Sequence, residues 1–134
     1  MDVAVTGTDP AVLSVSGQLD LDTEADLRAA FDELAAQGCR RVVVDLSGLD
    51  FCDSIGLSTI VVGHRLCVAE GGWLRLAAPG EFMLHLLSSV GITGSVPVYG
   101  TADGARRGDP ADRVRPVGDE LIDDVQPQGG PLSS

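Results

Sequence analysis

The sequence contains no lysine, so all nine of its basic residues are arginine. Every mechanism that needs a lysine side chain is therefore excluded. Acidic residues number 20, and the formal net charge is −11. Binding to a nucleic-acid backbone or to an anionic lipid surface takes clustered basic side chains. We therefore expect no nucleic acid and no membrane as a partner, and a protein or an uncharged partner fits the composition better.

Aromatic residues and cysteines are also scarce. Aromatics make up 4% of the chain against 44% hydrophobic residues, so the core of this 134-residue chain should be aliphatic and belong to one domain. The three cysteines, Cys39, Cys52 and Cys67, are far apart and form no C-x-x-C pair. This pattern favours small, reduced core residues over disulfides or a zinc site. With no signal-peptide pattern and no apolar stretch long enough for a bilayer, we expect a cytoplasmic location.

Strand and helix patterns alternate along most of the chain. β-branched runs bounded by turn residues predict strands, and apolar residues at helical spacing predict helices. The predicted strands are residues 3–6, 12–16, 41–46, 73–78 and 96–99, and the predicted helices follow Thr23, Asp53 and Gly80. Thr23 with Asp26 resembles a capping box. Pro97 cannot donate a hydrogen bond to a neighbouring strand, so the last strand should lie at an edge. The order predicts an α/β fold with crossover helices.

The composition changes after residue 100. Residues 101–134 carry four of the seven prolines, five glycines and no aromatic residue. Such a segment buries too little apolar area to offset the entropy of ordering it. We therefore expect one domain at residues 1–100 and an acidic, flexible tail at residues 101–134, with one short helical turn near residues 102–107.

Two enzyme motifs are present only in part. Asp20 and Asp22 match the D-x-D-x-T pattern of phosphatases of the haloacid dehalogenase type, in which the first Asp is the nucleophile. Those enzymes need a downstream lysine to hold the phosphate, and this chain has none. Thr23 and the two acids fit a strand-to-helix loop instead, since acids near a helix N-terminus are favourable. A phosphatase is therefore a remote alternative.

Ser54 is the other candidate nucleophile. A hydrolase elbow needs G-x-S-x-G, but Cys52 stands in place of the first glycine, and only Gly56 matches. His64 lies ten residues further along the same predicted helix. That separation is about 15 Å at the helical rise, so His64 cannot be the base. His85 would approach only through the tertiary fold, and a small hydrolase using Asp20 or Ser54 stays a remote alternative.

The stretch "DFCDSIGLSTIV", residues 50–61, places Asp53 and Ser54 at the start of a helix. Both residue types are favoured there because their oxygens accept hydrogen bonds from free backbone N–H groups. A phosphate on the Ser54 hydroxyl would sit where the helix dipole already favours an anion. It would add about −1.5 to −2 charge without unfolding the domain. Ser54 therefore suits a reversible binding switch.

Two segments carry a family resemblance. "DLSGLDFCDSIGL" resembles the signature of STAS-domain anti-sigma factor antagonists, in which an apolar strand leads into a D-S-[ST]-G-L turn and helix. "VSGQLDLDT" resembles the upstream segment of the same family, in which Gly-x-Leu-Asp ends the second strand. The resemblance runs from about residue 3 to residue 99. It implies a STAS fold, a small mixed sheet of four to five strands with helices packed mainly on one face.

The resemblance also implies a mechanism, partner switching. In that family the unphosphorylated protein binds an anti-sigma factor that is a serine kinase of the GHKL ATPase type, and the bound sigma factor is released. The kinase then phosphorylates the serine, here Ser54, and a PP2C-type phosphatase resets it. The implied protein is no enzyme and carries no cofactor or metal, since ATP and Mg²⁺ belong to the kinase. The implied partner-binding residues are Asp20, Asp53, Ser54, Ile55, Gly56 and Leu57.

The sequence departs from the family pattern at two places. Ile55 stands where the family usually has a second hydroxyl residue. The C-terminal helix typical of the family should be short or absent, because "TADGARRGDPADRV" is rich in Gly and Pro. The main alternative function is a STAS scaffold that binds protein without phosphorylation.

Overall fold

The structure, a computed structural model, describes residues 1–7, 9–89 and 96–114. Strands and helices alternate after an initial pair of strands, as the sequence patterns predict. The strands are β1 (Asp2–Thr6), β2 (Ala11–Leu19), β3 (Arg41–Cys52), β4 (Trp73–Ala77) and β5 (Val98–Tyr99). The helices are α1 (Glu24–Ala36), α2 (Ser54–Ala69), α3 (Glu81–Ser89) and α4 (Ala102–Arg107), followed by a 3₁₀ turn at Pro110–Asp112. Residue 90, the predicted end of the third helix, lies outside the described residues.

The five strands form one mixed sheet in the order β1-β2-β3-β4-β5. β1 pairs with β2 antiparallel, and every other neighbouring pair is parallel. The predicted mixed sheet is therefore confirmed, and β5 lies at an edge as Pro97 indicates. Because β2 to β5 run in one direction, their carboxyl ends meet at one edge of the sheet. We call this the carboxyl edge.

β2 and β3 are longer than predicted. Their pairing continues from Ala11 with Val42 to Leu19 with Cys52, and its register shifts between Ser14 and Ser16 and again between Gly17 and Gln18. The Ser-Gly-Leu-Asp segment of β3 resembles a turn in sequence, but here it stays extended along β2. The extra pairing brings the ends of both strands side by side at the carboxyl edge.

The two faces of the sheet are covered unequally. Val42 and Val44 belong to the large core beneath α1 to α3, whereas Val43 belongs to a small cluster with Ala105 of α4 on the opposite face. β3 is therefore covered on both faces, and the prediction that helices pack mainly on one face of the sheet is confirmed. In α1 the predicted apolar stripe is buried at Leu27, Phe31 and Leu34.

The packed fold continues past the predicted domain boundary at residue 100. Ala105 is fully buried, and the Asp112 carboxylate accepts hydrogen bonds from the Thr101 N–H (2.9 Å) and hydroxyl (2.8 Å). The Val114 N–H donates to the Val98 carbonyl over 2.8 Å. The small residues of α4 let this helix lie close to the sheet. The composition predicted no packed helix here because small residues bury little apolar area. The rest of the predicted tail, residues 115–134, lies outside the described residues.

Candidate functional site

Asp53 begins α2 at the carboxyl edge. Its backbone is extended (φ −98°, ψ −177°), and its carboxylate accepts a 2.8 Å hydrogen bond from the Gly56 N–H. Its carbonyl accepts the Leu57 N–H over 3.0 Å, the first bond of the helix. Asp53 is thus the N-cap, and Ser54 is the first helical residue.

Ser54 is exposed to solvent. Its carbonyl accepts a 2.9 Å hydrogen bond from the Ser58 hydroxyl one turn further along the helix. Ser54 thus lies at the surface, at the positive end of α2. A buried Ser54 would have excluded phosphorylation of the folded domain.

Asp53 also ties the loop after β2 to the start of α2. Its second carboxylate oxygen accepts a 3.3 Å hydrogen bond from the Leu21 N–H. Its own N–H donates to the Leu19 carbonyl over 3.1 Å. The structure thus brings the two predicted segments, Gly17–Asp20 and the Ser54 motif, together at one place, although they are more than 30 residues apart in sequence.

Asp20 stabilises the loop after β2 through hydrogen bonds to backbone groups of the same loop. Its carboxylate accepts hydrogen bonds from the Asp22 N–H (3.0 Å) and the Thr23 N–H (3.2 Å). Thr23 is the N-cap of α1 but makes no side-chain capping bond, and its hydroxyl donates to the Gln18 carbonyl over 2.7 Å instead. The predicted capping box of Thr23 with Asp26 is therefore wrong, because the hydroxyl is used to close the loop.

Gly56 and Leu57 lie behind the surface. Leu57 is 4% exposed, and a Cβ built on Gly56 would lie 2.6 Å from Leu19 Cγ and 2.7 Å from the Leu19 carbonyl oxygen. The absence of a side chain at Gly56 lets α2 approach the end of β2. Of the six residues predicted to contact a partner, Ser54 and Ile55 are exposed, and Asp20 and Asp53 are half-buried. Gly56 and Leu57 are buried and only position the others.

Sequence analysis missed an aromatic pair beside this site. Phe51, near the end of β3, and Phe82, in the first turn of α3, stack with ring centroids 5.9 Å apart and planes at 23°. Both rings are exposed, by 41% and 49%. Phe82 precedes the buried Met83 in α3, and nothing in the local helical pattern marks its ring as a surface group. Only the placement of α3 beside the end of β3 reveals the pair.

Cys52 lies beneath Asp53 as a core residue. Burial, together with the nearby Asp53 charge, raises the pKa of the Cys52 thiol to about 12. Burial likewise raises the pKa of Cys67 to about 11, with a smaller effect from Cys39. Neutral thiols are poor nucleophiles, so the expectation that these cysteines are small core residues agrees with their surroundings.

The groups proposed for hydrolysis do not assemble around Ser54. His64 lies on α2 itself, about 15 Å away at the helical rise, and its buried Nδ1 has no hydrogen-bond partner among the described residues. Asp20 is engaged by backbone N–H groups of its own loop. Within the described ranges, no group of three or more His, Cys, Asp or Glu could hold a metal ion, and no helix is long and apolar enough to cross a membrane.

Comparison with known proteins bears on this arrangement directly. The family described as "Mlab, STAS domain" matches residues 3–98. The chain belongs to the STAS-domain family. The STAS match runs from the second residue of β1 to the first residue of β5 and so includes both the loop after β2 and the Ser54 motif. The resemblance seen in the sequence is confirmed.

Relatives of this STAS protein are named as regulators. An anti-sigma F factor antagonist of Paenibacillus polymyxa is 29% identical over 89 residues, covering 66% of this chain and 76% of the relative. The anti-sigma-F factor antagonist RsfB of Mycobacterium tuberculosis is 42% identical over 50 residues, covering 37% of this chain and 41% of the relative. The crystal structure of an anti-sigma factor antagonist from Mycobacterium paratuberculosis superposes with a TM-score of 0.73 at 27% identity, covering 80% and 92% of the two chains.

Proposed function

We propose that this STAS protein is an anti-sigma factor antagonist that works by partner switching. In its unphosphorylated form it binds an anti-sigma factor that is also a serine kinase, and the sigma factor is released. Phosphorylation of Ser54 ends this binding, and a PP2C-type phosphatase restores it. ATP and Mg²⁺ are held by the kinase, and the exchange takes place in the cytoplasm. The relatives named as anti-sigma factor antagonists support the proposal.

The observation that carries the proposal is the exposure of Ser54 at the capped start of α2. A phosphate there adds about −1.5 to −2 charge at the surface that the partner contacts. Asp53 and Asp20, both half-buried, already supply negative charge beside it. A phosphorylated Ser54 would therefore have to be desolvated next to like charges when the complex forms. This cost opposes binding without any change of fold.

The test is a titration of the cognate anti-sigma factor with three variants. Ser54→Ala should bind as tightly as the unphosphorylated wild type and should stay bound when ATP is added. Ser54→Asp should bind at least about tenfold more weakly, a difference of about 1.4 kcal/mol. Ser58→Ala is the matched control, since Ser58 is an exposed serine on the same helix, and it should behave as wild type.

Phosphate mapping completes the test. After incubation with the kinase and ATP, mass spectrometry should place one phosphate on Ser54 and none on Ser58. Equal affinities of Ser54→Ala and Ser54→Asp for the anti-sigma factor would overturn the proposal. A phosphate that appears on Ser58 instead would also contradict it.

A STAS scaffold that binds protein without phosphorylation is the second candidate. Two observations favour it: Ile55 replaces the hydroxyl residue usual in the family, and the matching family is described without reference to a sigma factor. This candidate predicts stable binding of a partner that ATP does not change, and no phosphate on the bound protein. The same titration, with and without ATP, separates the two functions.

A further inference from the structure

Exposed apolar side chains concentrate at the carboxyl edge. Among the described residues, eight large apolar side chains are exposed, and four of them lie at this edge around Ser54: Leu21, Phe51, Ile55 and Phe82. Soluble proteins seldom gather exposed apolar groups in one place unless another surface covers them. This distribution indicates that the carboxyl edge is a contact surface with an apolar centre.

The stacked Phe51–Phe82 pair is the largest part of that centre. The chain has only three phenylalanines, and the third, Phe31, is 7% exposed within the core. The pair joins the end of β3 to the first turn of α3, so two different elements hold it in place. Large, rigid aromatic groups lose little conformational entropy when a partner covers them. They are therefore suited to anchor an interface.

The charged residues in the loops and first helical turns at the carboxyl edge are acidic. Asp20, Asp22, Asp50, Asp53 and Glu81 lie in the loops and first turns that meet at this edge. Neither residues 42–64 nor residues 76–105 contain a lysine or an arginine. A complementary partner surface would have an apolar recess surrounded by basic side chains, because opposite charges across an interface steer the encounter and fix its register.

We propose that the Phe51–Phe82 pair is the apolar anchor on which the anti-sigma factor docks, with a basic-rimmed apolar recess of that partner covering both rings. This inference rests on the proposed function and names the part of the surface that supplies its affinity. Ser54 lies three residues after Phe51, so a phosphate on it stands at the margin of the covered rings. The phosphate would hold water at the margin of the two rings, and the partner could then not exclude water from them.

The anchor is tested by measuring the dissociation constant of the cognate anti-sigma factor with ADP in place of ATP, so that no phosphate is transferred. Phe82→Ala should bind about tenfold or more weakly, since truncating a central aromatic anchor removes a dominant share of affinity. Val68→Ala is the matched control. Val68 is equally exposed, by 51%, but lies near the far end of α2, and its variant should bind within about twofold of wild type. Raising the salt concentration should weaken wild-type binding.

The binding results separate failure of the anchor from failure of the proposed function. Binding of Phe82→Ala at wild-type strength, or an equal loss in Val68→Ala, would overturn the anchor and leave the proposed function standing. Failure of the wild-type protein to bind the anti-sigma factor would remove the proposed function and the anchor with it. Circular dichroism should show an unchanged fold, because Phe82 is half exposed and alanine is a good helix former. Phe51→Leu, which keeps an apolar side chain in β3, serves as the second variant and should show a smaller loss.

Discussion

Gly56→Ala tests how closely α2 must approach β2. In an ordinary helix, replacing glycine by alanine stabilises the protein by up to about 1 kcal/mol, since glycine loses more conformational freedom on folding. At Gly56 the new methyl group would lie 2.6 Å from Leu19 Cγ and 2.7 Å from the Leu19 carbonyl oxygen. Real carbon atoms do not approach so closely, so the start of α2 has to move away from β2.

The cost of that movement outweighs the gain in helix propensity. Forcing a methyl group into a packed site costs about 1–3 kcal/mol. The same Leu19 carbonyl accepts the Asp53 N–H over 3.1 Å, and weakening that bond costs about 1 kcal/mol more. Against the gain of up to about 1 kcal/mol, we expect Gly56→Ala to lower the free energy of unfolding by about 1–3 kcal/mol.

Urea unfolding followed by Trp73 fluorescence and by circular dichroism would measure this loss. The single tryptophan lies in β4, away from the substitution, with the Arg75 guanidinium 3.7 Å from its ring centre. Gly63→Ala on the same helix is the control. Its obstacle is the Phe31 side chain, 2.6 Å away, which can move more readily than a backbone carbonyl, so its loss should be smaller. A Gly56→Ala protein as stable as wild type would refute the close-packing argument.

Two further changes test the cap and the buried thiols. Asp53→Ala removes the acceptor for the Gly56 and Leu21 N–H groups and should lower the free energy of unfolding by about 1–2 kcal/mol. Asp53→Ser keeps a cap oxygen and should lose less stability. Equal stability of the two variants in urea would contradict this expectation. The raised pKa of Cys52, about 12, means that the unfolded chain releases this thiol proton at a lower pH than the folded chain does. Stability is therefore fully present below the unfolded pKa of about 9 and declines above it, by roughly 1–3 kcal/mol between about pH 8 and about pH 10 when Cys67 is included. Urea midpoints at the two pH values check this, and a Cys52→Ala variant should show a shallower decline.

Local patterns predicted most of the fold because they depend on neighbouring residues. The apolar spacing of α1 and the β-branched run of β3 carry their own signals, and Asp53 is a favoured cap wherever a helix starts. The extension of β3 to Cys52 was missed because it depends on pairing with β2. A glycine and a serine that suggest a turn in isolation are held extended by a neighbouring strand.

The parts of the site that were missed are tertiary in origin. Nothing near Phe82 indicates that its ring meets Phe51, since the contact joins two elements 31 residues apart in sequence. The bond from the Leu21 N–H to Asp53 is equally non-local. The packing of α4 was missed for a different reason, because burial of Gly104 and Ala105 needs little apolar area. Composition measures apolar area and therefore overlooks an element that packs through small residues.

The way Asp53 holds its neighbours bears on how a phosphate would act. Its two carboxylate oxygens bind the Gly56 and Leu21 N–H groups, and its own N–H binds the Leu19 carbonyl. Two of these bonds thus fix the start of α2 to Leu19 and Leu21, and the third caps the helix, while the Ser54 side chain takes no part in them. Under the proposed function, a negative group at Ser54 would then change the contact surface and leave the fold intact.

Stability measurements separate such a surface switch from a conformational one. An acid in the first turn of a helix interacts favourably with the helix dipole, by about 0.3–1 kcal/mol. Ser54→Asp should therefore unfold at the same urea concentration as wild type or a slightly higher one, although under the proposed function it should bind the anti-sigma factor poorly. If Ser54→Asp instead lost stability together with binding, the negative charge would act by disrupting the start of α2. The fixed position of Asp53 would then not be what allows the switch to operate.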